Sequence, residues 1–314
     1  MDLTPHITPP TVAAIYAHYV AKRKDAHRPH LGGSQIGNEC ARALWYQFRW
    51  MDAATFEGRH LRLFETGDRE EGRLVENLRA VGVTVWDRDP DTGKQIRFTA
   101  CDGHFALSLD GVGEGFRESG QPHTIEFKTM SDKNFKALEK DGLEKAKPIY
   151  WAQCQIGMHL SGLQRCAFIA VNKNDDSIYM ERIKYDAAVG IQLVAKAESI
   201  IFADKPPAKL NNDPSFYLCR FCDYKHVCHE GKPPLVNCRT CAHATPERGG
   251  DGAWSCAKGH QMWGPCTDHL FNPYAMPWDV RDASPNWVEY VTDDGEVIRN
   301  EENSEEIARN WVPF

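Results

Sequence analysis

Three side chains in the stretch from Leu107 to Thr129, LSLDGVGEGFRESGQPHTIEFKT, have the types and spacing to act together: Asp110, Glu126 and Lys128. Glu126 and Lys128 are two apart in a run of β-formers, Thr124, Ile125, Phe127 and Thr129, so both project from one face of a strand. Asp110 ends an alternating run, Phe105 to Leu109, ahead of Gly111, Gly113 and Gly115, which puts it on the adjacent strand of a hairpin. Two carboxylates converging on one point can hold a hard divalent cation through oxygen, while a neighbouring ammonium orients a water and steadies charge on a phosphate. Those are the parts that phosphodiester hydrolysis needs. The same pattern also arises by chance, and a charged strand face is commonly just solvated.

The elements that must carry these residues follow from periodicity. Pro9 and Pro10 open a helix through TVAAIYAHYVAKRK, and a second helix spans Glu39 to Arg49. Leu74, Leu78 and Val81 give helical spacing over Asp68 to Ala80, ending near Gly82. Strands are expected at Val83 to Trp86, Gln95 to Ala100, His104 to Leu109 and Thr124 to Lys128, with turns at Asp89-Pro90 and Asp102-Gly103. Pro148 opens a helix from Ile149 to Leu160, stopped near Gly162. A hairpin follows, CAFIAVN and SIYMERIKY around Lys173 to Asp176, and Asp186 caps a helix reaching Ala203 before Pro206 and Pro207. The last segment, from Trp278, carries a hairpin at Asp293-Asp294-Gly295 and an acidic run, Glu301 to Glu306.

With 314 residues, 42% of them apolar and 26% charged, the chain suits one main core with smaller appendages. No apolar run approaches the roughly 20 residues of a membrane helix, and MDLTPHITPP lacks the regions of a signal peptide, so a cytoplasmic location is expected. The formal charge of -7 argues against a nucleic-acid coat protein but allows a local basic groove. Lys22, Arg23, Lys24, Arg42 and Arg49 are its candidates, with solvated helix faces the plainer reading for the first three. There is no G-x4-G-K-S/T phosphate loop, so ATP-driven unwinding is not built in.

Cysteine usage adds two constellations. Cys219, Cys222 and Cys228 have the spacing C-x2-C-x5-C, one ligand short of a closed four-coordinate site, so a fourth must come from elsewhere in the chain. Thiolates suit zinc and an iron-sulfur cluster alike, so spacing leaves that choice open. Cys238, Cys241, Cys256 and Cys266 read C-x2-C-x14-C-x9-C, with Gly249, Gly250 and Gly252 between the pairs, which looks like a zinc ribbon or knuckle. His260 or His269 could replace a thiolate there, Cys266 being the least certain ligand. Trp254 and Trp263 could stack on bases, although filling a small core is the commoner role beside such a site. Cys101, Cys154 and Cys166 have no partner spacing and read as buried small side chains.

Asp110, Glu126 and Lys128 together resemble the PD-(D/E)XK nuclease superfamily, with Leu109 where that name has Pro. Cys40 with the downstream cysteine triplet resembles the iron-sulfur subgroup of RecB-like nucleases, which includes the AddB nuclease domain and CRISPR-associated RecB-like exonucleases. The likeness runs from Ser34 to Cys228. It implies an α/β restriction-endonuclease-like core, a mixed sheet flanked by helices, and a 4Fe-4S cluster on Cys40, Cys219, Cys222 and Cys228. It also implies a magnesium or manganese ion on Asp110, Glu126 and the Phe127 carbonyl. Gly67 and Glu71 match a glycine followed by an acidic ligand on the preceding helix, Glu70 being the competitor. Tyr150 and Gln153 match the motif on the following helix, sharing one face there while Gln155 points elsewhere. Ser34, Arg42 and Lys173 are weaker candidates for phosphate contact.

The expected organisation is a nuclease domain over 1-235 with its iron-sulfur staple, a zinc module over 236-275 and an extension over 276-314. The expected activity is exonucleolytic on DNA ends, double- or single-stranded, in recombination, repair or replication, with proteins of those processes as possible partners. Such a nuclease without a motor suits a bacteriophage or mobile element acting in its host's cytoplasm. Two rivals stand beside it: a binding protein that docks DNA or a partner through its metal modules without turnover, and a redox sensor.

Overall fold

The computed structural model describes residues 8-23, 27-53, 55-305 and 310; Lys24 and Glu306 fall outside them. The chain begins with α1 (Pro10–Lys22), entered through Pro9 and Pro10. A short strand β1 (Leu31–Gly32) and one 3-10 turn lead into α2 (Ala41–Phe48). Cys40 is the N-cap of α2, its sulfur accepting the Ala43 amide at 3.4 Å. Then comes α3 (Gly58–Ala80), which starts well before the helix expected from Asp68.

The next strands are β2 (Thr84–Trp86), β3 (Arg97–Ala100), β4 (Phe105–Ser108), β5 (Gly111–Glu114) and β6 (His123–Met130). Here the structure corrects the sequence reading. Gly111 to Glu114 is a strand, not a turn, and it is β5 that pairs antiparallel with β6. Glycine is required there because a Cβ on Gly113 would lie 2.8 Å from the Phe116 ring and 2.9 Å from Ile125. Asp110 therefore lies on no strand; it occupies the bend between β4 and β5.

Two helices connect β6 to its parallel neighbour: α4 (Asp132–Ala146), which the periodicity reading passed over, and α5 (Pro148–Ser161), which ends at left-handed Gly162. A parallel pair needs such a crossover. They are followed by β7 (Arg165–Asn172), β8 (Ile178–Lys184) and α6 (Ala187–Ile201), whose first amides are capped by Asp186. The main sheet runs β2-β5-β6-β7-β8, parallel only between β6 and β7, and the order β1-β4-β3 forms a second sheet. The molecule is thus a mixed α/β fold.

Strand alternation sorts the central core into two faces. Ile125, Phe127, Ala167, Ile169 and Val171 pack with Leu74 and Val75 of α3. Met130, Cys166, Phe168 and Ala170 pack with Phe135 and Leu138 of α4 and with Cys154 and Met158 of α5. Glu126 and Lys128 share the parity of Met130, so the period of two sends them toward the α4 and α5 side.

Beyond α6 lie α7 (Tyr217–Arg220), α8 (Lys225–His229), the hairpin β9 (Ala244–Pro246) with β10 (Trp254–Cys256), and a meander of β11 (Asp279–Ser284), β12 (Trp287–Val291) and β13 (Val297–Glu301). The cysteine-rich stretch is not left without a core of its own: Cys241, Ala244, Trp254 and Ala275 join Leu31, Trp45, Phe48 and Phe105 in one cluster. Its loop is also fixed to the β3-β4 turn. The Gly252 amide donates to the Asp102 carbonyl at 2.6 Å. Gly103, at φ +83°, leaves no room for a Cβ, which would meet the Asp251 and Gly252 backbone at 2.5 Å. No helix among the described residues is long and apolar enough to cross a membrane.

Candidate active site and two cysteine quartets

The bend at Asp110 and the middle of β6 meet directly. The Phe127 amide donates to the Asp110 carboxylate at 2.8 Å, which aims that side chain along β6 toward Glu126 and Lys128. The Lys128 ammonium pairs with Glu126 and also donates to the Phe127 carbonyl at 3.1 Å. Its Nζ lies 5.3 Å from the centre of the Tyr150 ring on α5, a cation-π contact. Gln153, one turn along α5 from Tyr150, is buried. Gln155 is committed elsewhere, donating to the Lys184 carbonyl and accepting from the Asp186 amide, both at 2.9 Å.

The fourth member comes from α3. Gly67 lies beside Thr129 of β6, and one turn further on Glu71 feels both Asp110 and Lys128. Burial, then Asp110 and Asp68, raise the Glu71 carboxyl to about 7. Glu70 is turned away and pairs with Arg73 at 3.2 Å.

Electrostatics shows what the site lacks. Glu126 is 3% exposed; burial, reinforced by Asp110 and Glu71, raises its carboxyl to about 8 against the opposing pull of Lys128. Asp110 is raised by burial too, offset in part by Lys128 and the Phe127 amide. Burial works against the Lys128 charge, yet Glu126 and Asp110 outweigh it and hold the ammonium above its ordinary value. Were all three acids ionised around one ammonium, negative charge would be left uncompensated. A set of hard oxygen donors with surplus negative charge fits a divalent cation. Among the described residues, however, no group of three or more His, Cys, Asp or Glu is gathered into a formed metal site.

Cys40, Cys219, Cys222 and Cys228 line one cavity, together with Arg42, Tyr46, Tyr224 and His229. None of the cysteines is in a disulfide. Burial raises the Cys222 and Cys228 thiols, and Cys40 adds to both. The Tyr224 amide donates to the Cys222 sulfur and opposes part of that rise.

The second quartet, Cys238, Cys241, Cys256 and Cys266, lines another cavity with His260 and His269. Amides of Trp263, His243 and Asp268 donate to Cys238, Cys241 and Cys266 respectively. Burial raises the Cys241 thiol to about 11, and Cys256 and Cys266 add to the rise. His260 is engaged with Asp268 at 2.7 Å, and His269 spends its Nε2 on the Asn237 carbonyl at 3.1 Å. Three of these sulfurs accept turn amides, and a set of four thiols has the donor chemistry of a soft-cation site.

Other sequence candidates land elsewhere. Arg49 is no groove residue: it is 3% exposed and hydrogen-bonds the Arg239 and Ala203 carbonyls. Arg42 turns to the Tyr46 hydroxyl at 2.8 Å and the Pro207 carbonyl at 2.9 Å, beside the first quartet. Arg23 lies 4.6 Å above the Phe56 ring. Trp254 is buried, whereas Trp263 is 41% exposed. Cys154 and Cys166 are buried as expected, but Cys101 is only partly so. Sequence reasoning missed Arg239, a buried arginine between two metal-spaced cysteines, and that position was the available signal.

No protein-family profile matches the sequence, and no curated protein matches it. Among solved structures, the chain is similar to an alkaline exonuclease, LHK-Exo, from Laribacter hongkongensis, at 17% identity and a TM-score of 0.38, over 59% of this chain and 90% of that one. LHK-Exo in complex with dAMP gives 16% identity and 0.38, over 60% and 89%. The protein SSO0001 gives 16% identity and 0.42, over 68% and 92%.

Proposed function

We propose that the chain is a divalent-metal-dependent DNA nuclease of the PD-(D/E)XK type, acting as an exonuclease on DNA ends. The observation that carries this reading is the convergence on Lys128 of Asp110, Glu126 and Glu71, which once ionised carry more negative charge than one ammonium can balance. Asp110, Glu126 and the Phe127 carbonyl would hold a magnesium or manganese ion, with Glu71 completing the donor set. Bound there, the ion supplies Lewis acidity at a phosphodiester. Asp110 is pre-aimed by the Phe127 amide, so its carboxylate needs no reorganisation. Lys128 orients the attacking water and steadies charge on the phosphate, and Gln153 contacts a phosphate oxygen from α5. The Tyr150 ring packs against the ammonium, whose protons go to Glu126 and the Phe127 carbonyl.

In the same proposal, Cys40, Cys219, Cys222 and Cys228 carry a 4Fe-4S cluster with a structural role, and Cys238, Cys241, Cys256 and Cys266 carry zinc. What supports this reading of both quartets is that the four cysteines of each line one cavity. The placement of such a nuclease in recombination, and in a phage or mobile element, rests on the resemblance alone.

The test is cleavage of linear and circular DNA with magnesium, manganese or EDTA, by the native protein and by Lys128→Ala and Glu126→Ala. Metal-dependent loss of linear DNA, abolished by both substitutions, is expected. Equal behaviour of all three proteins would refute catalysis. Iron analysis and visible absorbance of anaerobically purified protein test the cluster, and a colourless sample holding only zinc rejects it.

A further inference from the structure

Two arginines are buried where the cysteine-rich stretch meets the core. Arg239 is 1% exposed and Arg49 3%. Arg239 donates to the Phe48 carbonyl at 2.8 Å and the Pro29 carbonyl at 2.6 Å, and Arg49 donates to carbonyls of Ala203 and Arg239. Among the described residues neither forms an ion pair; Asp204 acts on Arg49 only from a distance. The guanidiniums flank one indole, with Cζ atoms 4.7 Å and 5.0 Å from the Trp254 ring centre. Trp50 adds a closer contact to Arg239, at 3.8 Å. Carbonyl hydrogen bonds and cation-π contacts return only part of what burying a guanidinium charge costs. A nearby counter-charge would offset the rest.

The neighbouring groups say where it lies. Arg239 stands between Cys238 and Cys241, and Trp254 stands two residues before Cys256. Trp263 bridges the two regions, its amide on the Cys238 sulfur at 3.3 Å and its ring 5.5 Å from the Arg239 guanidinium. Four thiolates around one divalent cation carry a net charge of about -2.

We propose that the second cysteine quartet, when it holds a divalent metal, is the counter-ion of Arg239 and Arg49, so that metal affinity there depends on two arginines that touch no ligand. Arg239 is thus a positioning residue for the metal centre. The coupling extends further into the core. Arg239 caps the C-terminal carbonyl of α2 while Cys40 caps its N-terminus, so metal loading of one quartet steadies the helix that presents a cysteine to the other.

This proposal requires the quartet to bind metal but not the chain to be a nuclease. Zinc affinity of the full chain is measured by competition with a chromophoric chelator, Cys256→Ser marking which zinc belongs to this quartet. Arg239→Met is expected to weaken that zinc by at least about tenfold, and Arg239→Lys, which keeps the charge, to retain most of it. Arg49→Met and Arg49→Lys repeat the comparison should an Arg239 variant fail to fold. Unchanged affinity in the Met variants, or equal loss with Lys and Met, overturns the proposal. So does native protein whose zinc content Cys256→Ser leaves unaltered.

Discussion

The Phe127 amide donates to the Asp110 carboxylate at 2.8 Å, so a backbone group of the strand that carries Glu126 and Lys128 also aims the acid that arrives from the bend. Asp110→Asn keeps an acceptor for that amide but loses the charge. It should fold normally and lose about 100-fold or more of metal-dependent cleavage, a loss that extra manganese recovers only partly. Circular dichroism and cleavage rates measured together check this; retained cleavage would remove Asp110 from the metal site.

The raised acids give a signed pH dependence. Glu71 and Glu126, raised to about 7 and about 8, stay protonated in the folded chain over a range where the unfolded chain has already released its protons. Without divalent metal, stability should therefore fall as pH rises from about 5 to about 8. Magnesium, which binds the ionised acids, should offset the fall. Thermal melts across that range, with EDTA or magnesium, test the sign. Glu126→Gln should flatten the slope.

Lys128→Met removes the ammonium and leaves buried Glu126 facing the half-buried Asp110 and Glu71. Their protonation should become more favourable, so cleavage falls by about 100-fold or more and residual activity shifts to higher pH. A pH-rate profile that falls in amplitude without moving would argue against the charge coupling described above.

Gly103 has no space for a side chain, because the Asp251 and Gly252 backbone occupies it and its φ is positive. Gly103→Ala should cost about 1-3 kcal/mol and loosen the cysteine-rich loop from the β3-β4 turn. Denaturant melts give the energy, and faster chelator stripping of the second quartet reports the loosening.

Much of this site was legible from local rules. Strand parity placed Glu126 and Lys128 together and spacing grouped the downstream cysteines, whereas Cys40 and the choice of Glu71 over Glu70 came only from the family resemblance. What escaped depended on contacts far along the chain. Gly111 and Gly113 have turn composition, and only the Phe116 and Ile125 side chains crowding Gly113 explain why they form a strand. Arg49 reads as an exposed basic residue on its helix until Ala203 and Arg239, both distant in sequence, close over it. The helix from Asp132 to Ala146 is mostly charged and buries only Phe135, Leu138 and Leu143, so its apolar periodicity is weak in the sequence.

Only Leu109 and Asp110 separate β4 of one sheet from β5 of the other. So short a link has no slack. An inserted or deleted residue there would have to be absorbed by sliding one sheet against the other or by turning the acid out of the site, whereas the longer loop between β5 and β6 has mostly exposed residues beyond buried Phe116, from Arg117 to Gln121, where length can change. Over generations of sequence drift, length should vary freely on that loop and stay fixed at this link, which makes the spacing from Ser108 to Gly111 a more durable mark of the site than the identity of the residue preceding the acid.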